Sequence, residues 1–189
     1  MKQIIFLFVI SVFLIAGCSE QPVAPTQTSS AKAEFLKLPV NKALSSELTF
    51  SVTKEINGDK GGTIDLSKTY ISLFQGKIIL VSAKVEFPAG AFSGSERITV
   101  SVNSDETSVT FYPHMKFNKD VNFDLSYTDL NLGNLLSSNV DFVYVDDSGN
   151  IEYIDRDYLL LNRLLGTVAV HGAKLKHFSR YGFIKNPQN

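Results

Sequence analysis

Residues Lys84–Asn103 read KVEFPAGAFSGSERITVSVN, and their pattern decides the fold. In the first half Val85 and Phe87 share one face while Lys84 and Glu86 take the other. In the second half Ile98, Val100 and Val102 share a face, with Arg97, Thr99, Ser101 and Asn103 opposite. A period of two with one apolar side marks a half-buried strand. Between the runs, Pro88 lacks the N–H that a ladder needs and so ends the first strand. Gly90 and Gly94 supply the backbone freedom of a tight corner.

Working outward from this pair, the same alternation recurs along the chain. Leu48, Phe50 and Val52 form a first strand, and Asn57-Gly58-Asp59-Lys60-Gly61-Gly62 is dense turn sequence. Short strands follow at Ile64–Leu66 and Tyr70–Phe74. Lys77–Phe87 opens with Ile78-Ile79-Leu80-Val81, apolar on both faces, as in a strand covered on both sides. Further strands are expected at Ser108–Pro113, Val121–Tyr127, Val140–Val145, Ile151–Ile154 and Thr167–Val170, with an apolar stretch at Tyr158–Leu165 that holds Arg163 and a last segment from Leu175 to Ile184. Asp129–Leu136 reads as a helical turn or a crossing connection. Nearly a dozen short strands with turns between them, and no long helical period, predict an all-β antiparallel β-sandwich over residues 46–186.

Composition excludes several classes. The 189 residues are 44% hydrophobic and 20% charged, as in a globular chain, and carry 14 Phe, 7 Tyr and no Trp. A net charge of −1 offers no basic field to recruit nucleic acid. The glycine-rich turn at 57–62 lacks the Lys-Ser/Thr ending of a phosphate loop. Asp146-Asp147-Ser148-Gly149-Asn150 reads as a hairpin turn, because a calcium loop needs spaced ligands and a distal Glu. Three scattered histidines and one cysteine do not make a zinc site, so no metal and no cofactor is expected. Asp146, Asp147, Asp155 and Asp157 are the densest acids, and hairpin ends solvate such groups without a catalytic pocket.

Cys18 is the single cysteine. It follows Met1-Lys2 and an apolar run of 13 residues, Ile4–Ala16, too short for the roughly 20 residues that span a bilayer. Ile15-Ala16-Gly17-Cys18 resembles the bacterial lipoprotein signal, in which an aliphatic residue, a small residue and Gly or Ala precede Cys. The resemblance implies cleavage of residues 1–17, thioether lipidation of Cys18, and N-acylation, as with palmitate, of the new terminus. It implies a cell-envelope protein anchored to a membrane, with Ser19 pointing to the outer rather than the inner one. Residues 18–45, proline-bearing and polar, form a tether with an r.m.s. reach of about 25–30 Å. Within it Glu34-Phe35-Leu36 reads as a strap across the domain or as a partner-binding segment.

Three blocks in order resemble the ZU-five domain of zonula-occludens proteins, netrin receptors and ankyrins. They are Gly61-Gly62-Thr63-Ile64, then Val85–Ala91 with Ile98-Thr99-Val100, then Tyr112-Pro113, Phe117 and Val121–Leu125, closing with His177-Phe178-Ser179-Arg180-Tyr181. The likeness spans about Ser51–Phe183 and implies a β-sandwich used as an interaction module. Some members cut their own chain between Phe and Ser of His-Phe-Ser by an N-to-O acyl shift. That would make Ser179 the nucleophile, the Phe178 carbonyl its target and His177 the base, with His114 and His171 as further candidates. As a strand, the same residues would instead place Phe178 in the core with His177 and Ser179 together on the other face. The expected function is thus a non-enzymatic interaction or structural module of the envelope. Its partners would be the membrane and an envelope protein or glycan, with self-cleavage and glycan or peptide binding as alternatives.

Overall fold

The computed structural model describes residues 34–38, 49–72, 77–146 and 148–186. The chain divides into two units, 1–30 and Ala31–Asn189, and every described residue belongs to the second. The signal segment, Cys18, Leu48, Phe74 and Asp147 lie outside the described residues.

Eleven strands follow one another: β1 Phe50–Asn57, β2 Gly62–Ser72, β3 Lys77–Phe87, β4 Ser95–Val102, β5 Ser108–Tyr112, β6 Lys116–Tyr127, β7 Val140–Val145, β8 Ile151–Tyr153, β9 Tyr158–Asn162, β10 Thr167–His177 and β11 Arg180–Lys185. They make a six-stranded sheet in the order β1-β4-β5-β11-β7-β8 and a five-stranded sheet in the order β2-β3-β6-β10-β9. Every pairing is antiparallel, so the expected sandwich is the one found. The only helical turn among the described residues is the 3₁₀ turn Ser137–Asn139, on the long connection from β6 to β7.

The opening stretch behaves as its alternation predicts. Val85, Phe87, Ile98, Val100 and Val102 are buried, and Gly90 and Gly94 take φ of 82° and 77°, which side chains with a Cβ rarely adopt. Two readings need correction. The residues expected to form two strands around Ile64–Phe74 run without a break from Gly62 to Ser72. And Ile78 and Leu80 stand 58% and 40% exposed, whereas Ile79 and Val81 are buried. This strand therefore has one covered face among the described residues, and its four-residue apolar run does not report cover on both sides.

Phenylalanine rings interlock through the core. Phe178 stacks on Phe111 at 4.6 Å between ring centroids and meets Phe87 and Phe117 edge-on at 5.7 and 4.7 Å. Phe111 meets Phe123 edge-on at 5.2 Å, and Phe123 lies 6.0 Å from Phe142. Edge-to-face pairs set the positive ring edge on the negative face, adding about 0.5–1.5 kcal/mol each beyond area burial.

The register defines two ends. β10 finishes at His177 opposite Lys116, and after two linking residues β11 starts in the other sheet, so both strands meet at the upper end. At the lower end Val168 pairs with Tyr127, the β9–β10 turn 163–166 projects, and β11 finishes beside Val140.

Residues 34–38 of the tether segment lie on the sandwich as a strap. Phe35 bridges Ile184, Lys37 bridges Glu106, and Phe35 and Leu38 are both buried. Leu36 donates to the Phe183 carbonyl (2.8 Å) and accepts from Thr107 N–H (2.8 Å). Phe35 joins Val143 and Ile184 in a small second core, and it fits because Gly182 has no side chain: a Cβ there would sit 2.6 Å from the Phe35 ring.

Candidate functional site

The His177–Ser179 corner forms because the chain must leave one sheet for the other. Phe178 N–H donates to the Met115 carbonyl (2.7 Å), and Phe111 N–H donates to the Ser179 carbonyl (2.9 Å). These two bonds hold the link while the Phe178 ring, 2% exposed, enters the core. The strand parity expected for these residues does not apply. His177 is the last residue of β10, Ser179 lies in the link, and Arg180 begins β11 in the other sheet. The reading of Phe178 as a core residue agrees with its position.

His177 packs edge-on against Tyr144, with ring centroids 4.8 Å apart. Its Nδ1 lies 3.2 Å from Tyr181 Oη, and the same hydroxyl donates to the His177 carbonyl at 2.6 Å. A phenol has one proton, so with that proton on the carbonyl its oxygen accepts from Nδ1–H. The Nε2 faces Glu152 at 3.7 Å. Both nitrogens are thus directed to residues other than Ser179. Burial, then the Glu152 charge and Tyr144, push the Tyr181 phenol well above its ordinary value, which keeps it protonated as the donor.

Ser179 opens instead into a cleft of about 680 Å³, also lined by Glu34, Phe35, Lys37, Asn103, Glu106, Thr110, Tyr112, His114, Val145, Asp146 and Arg180. At its base Glu106 is nearly buried and accepts from Ser108 Oγ (2.9 Å), Lys37 Nζ (3.2 Å) and the Arg180 guanidinium. Burial pushes its carboxyl up, but the Ser108 hydrogen bond and the Arg180 and Lys37 cations outweigh that and leave it below its ordinary value. Arg180 also covers the Phe35 ring, 4.9 Å from its centroid. At the cleft's other side the rings of Tyr112 and His114 stack at 5.0 Å, with Tyr112 half exposed.

Chemically, this arrangement offers a stacking surface beside a cluster in which two cations share one carboxylate. Arg180 and Lys37 both pair with Glu106, so neither is an unpaired cation, although the three groups together keep a net positive charge. Of the candidate bases, His114 shares the cleft with Ser179. His171 lies elsewhere, on the outer face of the five-stranded sheet, stacked on Tyr158 (4.6 Å) and 3.8 Å from Asp124. Sequence reasoning missed Glu106 and the Tyr112–His114 pair. Glu106 sits in a polar loop sequence and meets Lys37 and Arg180 only through the fold, and the ring pair is brought together across Pro113.

The remaining sequence-level candidates fall apart in space. Asp146 closes its hairpin by accepting from Asn150 N–H and Nδ2, both at 2.8 Å. Asp155 and Asp157 lie on the crossing between β8 and β9, where Asp157 approaches Lys174 at 3.9 Å. The turn at 57–62 carries the chain from β1 in one sheet to β2 in the other, and in it Asn57 Oδ1 accepts from Lys60 N–H and Asp59 accepts from Gly94 N–H. Among the described residues no group of three His, Cys, Asp or Glu is placed to hold a metal ion, and no helix is long and apolar enough to cross a membrane. No protein-family model matches the chain, and neither the curated proteins nor the solved structures give a match.

Proposed function

We propose that this protein is a bacterial cell-envelope lipoprotein whose β-sandwich is a non-enzymatic interaction module. Lipidated Cys18 holds it to the membrane, the outer membrane by the Ser19 reading, and the Tyr112–His114 side of the cleft meets an envelope protein or glycan. The observation that carries the non-enzymatic part is the engagement of the side chains able to do chemistry. His177 is engaged by Tyr181 and Glu152, and Glu106 by Ser108, Lys37 and Arg180. A stacked aromatic pair left half open suits recognition of a sugar ring or a peptide side chain. The anchoring part rests on Ile15-Ala16-Gly17-Cys18, with the only cysteine at the position that would be acylated. The ZU-five likeness rests on its ordered motifs.

The test is metabolic labelling with palmitate in a bacterial host, followed by fractionation. Label in the membrane fraction that disappears in Cys18→Ser supports the anchor, and an unlabelled, fully released wild type rejects it. Self-cleavage is the second reading, favoured by one observation: the Phe178–Ser179 peptide sits at a sheet-to-sheet link with Ser179 open to a cleft that also holds His114. Intact mass of the purified protein under denaturing conditions decides it. Two fragments split between Phe178 and Ser179, lost in Ser179→Ala, would make this an autoprocessing domain. One uncut species leaves the interaction module.

A further inference from the structure

Several large apolar side chains stand in water at the lower end of the sandwich. Leu164 and Leu165, at the tip of the β9–β10 turn, are 93% and 62% exposed. Ile78 and Leu80, on the outer face of β3 at the same end, are 58% and 40% exposed. The turn is held rather than loose: Asp129 N–H donates to the Leu165 carbonyl (3.2 Å), Leu130 N–H donates to the Gly166 carbonyl (2.9 Å), and Leu165 N–H donates to Asn162 Oδ1 (3.1 Å). A fixed turn that presents two leucines to water is a surface made for an apolar neighbour.

The chain's own course indicates which neighbour. The strap runs antiparallel to β11 with Phe35 opposite Ile184, so the segment before it arrives from the end where β11 finishes. That is the lower end, the end of the leucines. Cys18 and Glu34 are 16 residues apart, a link that spans about 55 Å at most. The 11 residues of β10 give the sandwich a length of about 36 Å. A chain lipidated at Cys18 therefore brings the lower end, where the strap begins, to the bilayer first, whereas bringing the upper end there must also bridge the length of the sandwich. Exposed charges there are of both signs, Arg163 and Lys185 against Asp129 and Asp105, so apolar contact rather than a basic patch would drive the docking.

We infer that the lower end docks on the bilayer that carries the anchor, with Leu164 and Leu165 dipping into the interface between headgroups and acyl chains. This rests on the lipoprotein reading and goes beyond it, since an anchor alone leaves the domain free to tumble. It also turns the Tyr112–His114 side of the cleft, towards the upper end, away from the membrane.

The test uses the full-length lipidated protein, whose Cys18 thiol is blocked by its own thioether. Leu164→Cys and, separately, Ser93→Cys in the upper-end corner then carry an environment-sensitive fluorophore. Each is reconstituted into vesicles of phosphatidylethanolamine and phosphatidylglycerol with nitroxide-bearing acyl chains. Quenching at position 164 should exceed that at position 93 by at least about threefold, and Leu165→Glu should reduce it towards the position-93 level. A label at 164 that iodide reaches freely overturns the docking. So does one shielded from iodide yet unquenched by the nitroxide lipids, which would mean a second copy covers the turn. A protein without acyl mass overturns the anchoring reading and this inference together, whereas an acylated protein with an open label overturns this inference alone.

Discussion

Phe178 shows what a single residue holds together. Its ring contacts Phe87, Phe111 and Phe117, which come from three different strands or their borders, and its N–H fixes the link to Met115. Truncation to Ala leaves a cavity that these rings cannot close, so Phe178→Ala should cost about 3–5 kcal/mol, read as a lowered urea midpoint. Ser179→Ala removes a half-open hydroxyl and should stay within about 0.5 kcal/mol of wild type; a loss as large as that of Phe178→Ala would mean the hydroxyl is structural. A buried polar atom gives the opposite sign. Tyr127 is fully buried, and its hydroxyl has no hydrogen-bond partner among the described residues. Tyr127→Phe removes an unsatisfied group without changing the ring, and should be neutral or raise stability by about 1 kcal/mol in the same urea titration. The core role of Phe178 was legible in the sequence as one side of an alternation. The alternation itself misled about its neighbours, because a chain that changes sheets between His177 and Arg180 loses its parity there, and no local pattern signals a change of sheet.

Among the elements, the strap is the one whose role depends most on distant residues. Its Lys37 and β11's Arg180 both meet Glu106, which lies 69 residues from Lys37 and 74 from Arg180. The carboxyl titrates below its ordinary value of 4.5 in the fold, so the cluster's full contribution is present above about pH 4.5 and is lost as pH falls through the lower folded value. Glu106→Gln should therefore be less stable than wild type at neutral pH, by about 1–2 kcal/mol, because Lys37 and Arg180 are half exposed and can rehydrate when their partner loses its charge. The gap between the two proteins should narrow as pH drops below 4.5, measured by urea unfolding at each pH; a constant gap would mean that the charge is not what matters. The sequence reading allowed a strap at Glu34-Phe35-Leu36 because an aromatic and an aliphatic residue interrupt a polar tether. It could not supply the acceptor, since Glu106 is one acid in an exposed-looking loop until the fold places it under Lys37.

At the scale of the whole molecule, six of the ten connections between strands pass from one sheet to the other, and only β2–β3, β4–β5, β7–β8 and β9–β10 are hairpins within a sheet. Neither sheet can separate without breaking the other's order, so the sandwich should unfold as one unit, and the strap should be part of it. A protein that begins at Ser19 and one that begins at Glu34 should then share a midpoint, whereas one that begins at Asn41 should lose the burial of Phe35 and Leu38 and the Lys37 bond. Burying one such side chain is worth about 1.5–3 kcal/mol, and ordering five residues costs part of it back, so a net loss of about 2–4 kcal/mol is expected. For a domain of this size that is a fall of roughly 5–15 °C in the thermal midpoint. Backbone and aromatic circular dichroism should move together in all three proteins. If the shortest melts at the same temperature as the others, the strap lies on the sandwich without holding it. If it melts in two steps, Phe35 with Val143 and Ile184 forms a layer that opens separately, and the cleft whose base it covers would then be a site that opens and closes with the strap.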